Sequence, residues 1–158
     1  MIIISNSSPI IALNNIGKLD ILKRLYNKII IPDAVKNEIT VNPIKRIEIN
    51  NFPWITIKSL SQPLTAQILS AQLGHGESEV LGLALELKSN LIIIDETAAR
   101  NIANLHEIKY TGTLGILLKA KKQAIIRSVK EPIDELNNNG FRISNGLYQY
   151  ILELAKEN

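Results

Sequence analysis

Asn6, Glu38, Glu77 and Asp95 lie far apart in the chain, yet each falls where a parallel sheet would carry it to one edge. Asp95 directly follows the apolar run at residues 91–94, and Asn6 comes shortly after the run at residues 2–4. In an open parallel sheet the ligand crevice lies beyond the carboxyl ends of the strands, which is where both side chains are expected. A helix over residues 77–87 must run antiparallel to the strand it feeds, so its first residue, Glu77, returns to the same edge. The helix after a second strand at residues 29–31 also starts there, and Glu38, about a turn and a half in, leans back towards it. Glu77 shares a helix face with Val80, Leu81 and Ala84. Glu79 shares one with Gly82, Leu83 and Glu86, and is the weaker candidate.

Three carboxylates and an amide suit a hard cation: Mg²⁺ or Mn²⁺ prefers oxygen ligands and keeps several of its waters. Such an ion offsets the mutual repulsion of the acids, lowers the pKa of a bound water and stabilises charge on a phosphoryl oxygen. Phosphodiester hydrolysis requires that combination. Softer chemistry has few candidates. Cysteine is absent, which excludes disulfides, thiolate metal sites and a cysteine nucleophile, and only His75 and His106 carry imidazole. Taken singly, each oxygen ligand also has an ordinary structural explanation: an Asx-turn for Asn6, an N-cap for Asp95, a first-turn acid for Glu77, a solvated surface charge for Glu38. Their convergence is what argues for a site.

The elements that must position these residues alternate between short β-rich runs and longer helical segments, the pattern of crossover units around a parallel sheet. The expected fold is therefore α/β, with three layers (α/β/α) about a central, mostly parallel sheet. Strands are expected at residues 2–4, 29–31, 54–57, 91–94 and 109–111, with a short edge strand at 141–143. Ser8 is the expected N-cap of the first helix, with Pro9 as its first helical residue. A second short helix follows around residues 19–25. Pro32 ends the second strand and opens the helix carrying Glu38, which should close before Pro43. Gly74-His75-Gly76 reads as a sharp break before residues 77–87, a helix apolar almost all round and hence buried. Further helices are expected at 64–73, from Asp95 to about 105, at 112–122 and at 129–137. Ser144 caps a closing helix whose stripe of Leu147, Tyr148, Ile151, Leu152 and Ala155 must pack on the domain or on another subunit.

The chain's 158 residues suit a single domain over residues 1–158. Hydrophobic residues make up 46% and aromatics only 4%, so the core must be built from Ile, Leu, Val and Ala. A net charge of +3 tolerates a polyanionic partner without demanding one. The amino terminus lacks the basic lead-in and apolar length of a signal peptide, and no stretch approaches the roughly 20 apolar residues of a membrane span. A cytoplasmic protein with no membrane association is expected. Residues 111–115 do not satisfy the dinucleotide-binding glycine pattern, there is no Walker loop, and Ser5, Ser7 and Ser8 have no partnered histidine nearby. Lys119, Lys121 and Lys122, with Arg127 and Lys130, either track a nucleic-acid backbone or form a solvated helix face.

Four segments together resemble the PIN-domain family, the fold of VapC-type toxins and related Mg²⁺-dependent ribonucleases. They are Ile2-Ile3-Ile4-Ser5-Asn6-Ser7-Ser8-Pro9-Ile10-Ile11-Ala12-Leu13, Ile31-Pro32-Asp33-Ala34-Val35-Lys36-Asn37-Glu38-Ile39, Gly76-Glu77-Ser78-Glu79-Val80-Leu81 and Ile92-Ile93-Ile94-Asp95-Glu96. Their order and separations match over nearly the whole chain. Thr111-Gly112-Thr113-Leu114-Gly115 and the ending Gly140-Phe141-Arg142-Ile143-Ser144 resemble a prokaryotic PIN-like subgroup. The resemblance implies an endoribonuclease of toxin–antitoxin type in which Glu38, Glu77 and Asp95 hold Mg²⁺ or Mn²⁺, with Asn6 in the place of the first, usually aspartate, ligand. An amide oxygen supplies no charge and no base, so weaker metal binding and slower turnover are implied. Thr111, Thr113 and Ser7 are accessory candidates, the two threonines having a helix-capping turn as their rival reading. An RNA substrate, a small antitoxin protein and a homodimer are the implied partners. One alternative is a PIN-like module that has lost catalysis and binds RNA or a protein partner. Another, a phosphoacceptor or phosphatase, needs acidic residues just after strand one, where this chain has Asn6.

Overall fold

The computed structural model describes residues 1–41 and 46–158. Among these residues the sheet has five strands in the order β3-β2-β1-β4-β5: β1 (Ile3–Ser5), β2 (Ile29–Ile31), β3 (Ile55–Ile57), β4 (Leu91–Ile93) and β5 (Tyr110–Thr111). Every pairing is parallel. The central strands β1, β2 and β4 read as apolar runs, with Ile3, Ile4 and Ser5 all buried, whereas the edge strands carry Thr56 exposed and Tyr110 and Thr111 half-buried. The chain builds outwards from β1 to β2 and β3, then crosses back to β4 on the other side of β1. The direction of winding therefore switches between β1 and β4, where an open sheet leaves a crevice at its carboxyl edge.

Among the described residues nine helices flank the sheet: α1 (Ser7–Asn15), α2 (Asp20–Tyr26), α3 (Asp33–Thr40), α4 (Pro63–Leu69), α5 (His75–Leu87), α6 (Thr97–Leu105), α7 (Thr113–Lys122), α8 (Lys130–Asn138) and α9 (Asn145–Leu154). α5 packs on β1 and β4 and against α3, α4 and α6, while α7 packs against α1, α2 and α9. As its composition requires, α5 is largely buried, through Val80, Leu81, Gly82, Leu83 and Ala84. The core is aliphatic, running from Ile3 and Ile4 to Ile151 and Leu152, and Trp54 is its one buried aromatic side chain among the described residues. Ser144 caps α9 as expected, its hydroxyl accepting the Leu147 N–H at 3.2 Å. Ile151, Leu152 and Ala155 are buried, whereas Leu147, on the same stripe, stays 40% exposed.

Three local expectations are corrected. α1 begins at Ser7, with Asn6 and not Ser8 in the N-cap position, because the extended backbone of β1 runs on through Asn6 (φ −77°, ψ 170°). α5 begins at His75: Gly74 is its N-cap, so the glycine pair brackets the first turn and does not break the chain. Residues 141–143 form no strand; the Phe141 N–H closes the end of α8 on the Leu136 carbonyl at 3.0 Å, and Phe141 and Ile143 pack on the core without pairing. Their alternation satisfies burial alone. The predicted stop of α3 at Pro43 lies outside the described residues, though α3 ends at Thr40.

The carboxyl-terminal residues are tied down by one side chain. Glu157 accepts from Lys121 Nζ and the Val129 N–H, each at 2.8 Å, from Ser128 Oγ at 2.6 Å and from the Lys130 N–H at 3.4 Å, joining the end of α9 to α7 and the start of α8. Burial opposes ionisation of this carboxyl, but the four donors outweigh it and hold the pKa at about 2. A lowered carboxyl pKa stabilises the fold above the unfolded value of 4.5 and ceases to do so as pH falls to about 2. Glu157→Gln should therefore cost about 1.5 kcal/mol in denaturant unfolding at neutral pH. The deficit relative to the parent should vanish between pH 4.5 and about 2. A deficit that persisted unchanged through that window would assign the clasp to shape and not to charge.

Candidate functional site

The backbone N–H of Asn6 donates to the Ile93 carbonyl at 2.9 Å, extending the β1–β4 register in which Ser5 faces Ile93. Asn6 thus enters the crevice at the switch point, and it is only 1% exposed. Its side chain makes no capping bond to α1. The amide is turned instead towards the acids that arrive from three other elements. Nδ2 donates to Glu77 Oε1 on α5 at 3.4 Å and to Glu96 Oε2, just before α6, at 3.2 Å. Between two carboxylates only the NH₂ end satisfies both, which fixes which way the amide points.

The opposite end of the amide has the reverse problem. Asn6 Oδ1 is buried without any hydrogen-bond donor. It converges with Glu38 Oε1 on Gly76, where a Cβ would lie 2.9 Å from Oδ1 and 2.5 Å from Oε1. Two acceptors therefore face one small space that only glycine leaves open. Glu38, exposed near the end of α3, is drawn in by a hydrogen bond from Ser7 Oγ to its Oε2. Ser8 Oγ donates to Glu96 Oε1 at 3.0 Å. The run Asn6-Ser7-Ser8 thus supplies one donor group to each of Glu77 and Glu38 and two to Glu96.

Asp95 is held differently. Its Oδ1 accepts the Thr113 N–H at 2.8 Å and its Oδ2 accepts Thr113 Oγ1 at 2.7 Å, so it caps α7 from across the sheet. Arg100 lies beside it, with Nη2 3.8 Å from Oδ1, and Arg100 Nε donates to the Ile94 carbonyl at 3.0 Å. Gly112 makes this possible, since a Cβ there would lie 2.1 Å from Arg100 Nη2 and 2.6 Å from Asp95 Oδ1. Burial pushes the Asp95 carboxyl above the usual range; the two Thr113 bonds pull it back, Glu96 adds to the rise and Arg100 opposes it.

Of the residues picked out in the sequence, the structure joins Asn6 to Glu77 by a hydrogen bond and sets Glu38 against Asn6 Oδ1 across Gly76. Asp95 is engaged by Thr113 and Arg100, and the acid that faces Asn6 from this segment is its neighbour Glu96. Glu96, Ser8 and Arg100 were not predicted. The adjacent pair Asp95-Glu96 after β4 was the available signal, since consecutive residues in extended backbone point to opposite sides. Thr113 is fully buried, while Thr111 Oγ1 abuts Gly115, where a Cβ would lie 2.3 Å away. Glu79, the weaker candidate beside Glu77, accepts the Ala34 N–H at 3.0 Å in the first turn of α3. His75 is the exposed first residue of α5.

The donor set suits a hard cation in kind, being entirely oxygen with one orphaned buried acceptor. Among the described residues no three His, Asp or Glu side chains close on a common point. Glu38 and the Asn6 amide oxygen, with Glu77 and Glu96 on the other side of the amide, are the side chains that would hold such an ion. The amino ends of α1, α3, α5, α6 and α7 lie at this edge, and each helix terminus contributes favourably, by roughly 0.3–1 kcal/mol, to an acid placed within its first turn.

The constraint at Gly76 is directly testable. Gly76→Ala should destabilise the protein by about 1–2 kcal/mol, because the buried Asn6 amide cannot move aside as the exposed end of Glu38 can. An unchanged denaturation midpoint would show that both oxygens yield freely.

Comparison with known proteins adds one finding: the DUF3368 family model, a PIN domain, matches residues 2–157. No curated protein and no solved structure matches the chain.

Proposed function

Because the chain belongs to the PIN-domain family across residues 2–157, we propose that it is a metal-dependent endoribonuclease of toxin–antitoxin type, acting as a single domain over residues 1–158. The observation that carries this reading is the unpartnered Asn6 Oδ1, buried beside Glu38 and amid carboxylates at the switch point of the sheet. A buried acceptor without a donor costs roughly 1–3 kcal/mol, a cost that a cation or its bound water removes.

In this reading Glu38 and the Asn6 amide oxygen, with Glu77 and Glu96 beside them, would hold Mg²⁺ or Mn²⁺. When bound, the cation makes water a stronger acid and neutralises charge on the phosphoryl oxygen. Glu77, whose Oε1 accepts from the Asn6 amide, would take the proton of the attacking water as its oxygen bonds to phosphorus and the P–O bond to the leaving ribose oxygen breaks, that oxygen being protonated from solvent. Ser7 and Ser8 orient Glu38 and Glu96. Asp95 anchors the amino end of α7 to the sheet and, with Arg100, adds a fixed charge pair at the rim. A phosphodiester oxygen of RNA enters at this edge. A small antitoxin protein and a second copy of the chain are the partners this type of nuclease would take. Among the described residues, no helix is long and apolar enough to cross a membrane.

A second reading has its own support. The Asn6 NH₂ bridges Glu77 and Glu96 and relieves their repulsion without an ion, as a module that has lost catalysis would require. Mn²⁺ calorimetry and cleavage of a generic RNA separate the two. The nuclease should bind Mn²⁺, lose cleavage with chelator, and fall at least about 100-fold in rate as Glu77→Gln. Asn6→Asp, which removes the bridging donors and adds a charge, should tighten Mn²⁺ by about 10-fold. Absence of Mn²⁺ binding in the parent, with binding appearing only in Asn6→Asp, would establish the non-catalytic reading.

A further inference from the structure

α7 begins at the carboxylate edge, where Thr113 binds Asp95, and ends ten residues later at Lys122. At about 1.5 Å per residue it carries its last turn roughly 15 Å away, to the amino edge of the sheet. There the ends of α7 and α9 enclose an open cleft of about 940 Å³, lined by Leu118, Leu154 and the lysines at 119, 121, 122 and 156. The four lysines are not equivalent. Lys121 is neutralised by Glu157 at 2.8 Å and donates to the Ala155 carbonyl at 2.5 Å. Lys119 lies over the Tyr26 ring, 4.7 Å from its centroid, which steadies the ammonium without cancelling its charge. Lys122 and Lys156 are exposed, and among the described residues neither they nor Lys119 has a carboxylate within ion-pair distance. Arg24 extends the cluster from α2, donating to the Ile125 carbonyl at 3.3 Å just past the end of α7.

We propose that this cleft is a docking site for the phosphodiester backbone of RNA, held by Lys119, Lys122 and Lys156 with Arg24 at its margin. The inference rests on the ribonuclease reading and adds to it a second contact, remote from the carboxylates. Glu38, Glu77, Asp95 and Glu96 together repel a polyanion, so affinity for RNA has to come from positive charge elsewhere on the surface. The cleft at the end of α7 gathers four lysines. Lysines on flexible stems serve as point charges for phosphate and read no base edge, which makes the contact indifferent to sequence. A strand that touches both places must span the length of α7, roughly 15 Å, which is about five nucleotides where they remain stacked at roughly 3.4 Å each. RNA shorter than that should occupy only one of the two places at a time.

The test is fluorescence anisotropy with a labelled single-stranded RNA of about 20 nucleotides, in chelator so that nothing is cut, over a series of salt concentrations. Lys119→Gln/Lys122→Gln/Lys156→Gln should weaken binding about tenfold or more and reduce the slope of log affinity against log salt by about 2, three contacts at roughly 0.7 each. Its thermal midpoint and its Mn²⁺ isotherm should match the parent's, separating loss of the cleft from loss of the fold or of the carboxylate site. Equal affinity and slope in parent and variant, or no RNA binding by the parent, would overturn the proposal. Loss of binding to a polyglutamate peptide with RNA binding intact would also overturn it, assigning the cleft to an acidic peptide. A parent that binds RNA through the cleft yet neither cuts it nor binds Mn²⁺ would leave the docking site standing and remove the nuclease reading.

Discussion

The hydrogen bond from the Asn6 N–H to the Ile93 carbonyl carries the β1–β4 register one residue past the strand. It delivers a buried amide to the place where the winding of the sheet reverses. The rest of the site follows from the parallel arrangement. A strand entering from one edge must leave at the other, so α1, α3, α6 and α7 start at the carboxyl edge and α5 returns to it before β4. Acids from separate segments then meet with no local sequence relation between them, and helix amino ends partly offset their charge.

Asn6 makes this crowding tolerable. Its NH₂ serves two carboxylates and leaves its oxygen facing a third, so the amide divides the site into a satisfied half and an unsatisfied half. Two glycines are needed for the same reason. Gly76 leaves room for the opposed oxygens, and Gly112 leaves room for Arg100 beside Asp95. Neither has the left-handed backbone that commonly calls for glycine; only Gly17 and Gly140 do. At the far end of α7 the balance is inverted. Lysines gather in an open cleft where one of them is neutralised by Glu157, the residue that also fastens the carboxyl-terminal helix. The molecule is thus polarised along α7, with acids at its amino end and bases at its carboxyl end, the orientation that the helix dipole favours at each.

The α/β class, five of the strands and the approximate spans of α1 to α9 were legible in the sequence, because apolar runs and helical apolar spacing report burial directly, whereas the short 3-10 turn at Ile49–Asn51 was not. The order of these elements was enough to carry Asn6, Glu77 and Glu38 towards one edge, since crossover handedness allows a parallel sheet few alternatives. Tertiary structure alone decided which side chains meet at that edge. Whether Asp95 or Glu96 faces Asn6 depends on a half-turn of extended backbone and on Thr113 arriving from another helix. Whether Gly76 is a break or a vacancy depends on oxygens contributed by residues at positions 6 and 38. Residues 141–143 alternate like a strand, yet both edges of the sheet end elsewhere. In each case the deciding partner lies far along the chain, and local spacing records only which face a residue occupies, not what it meets there.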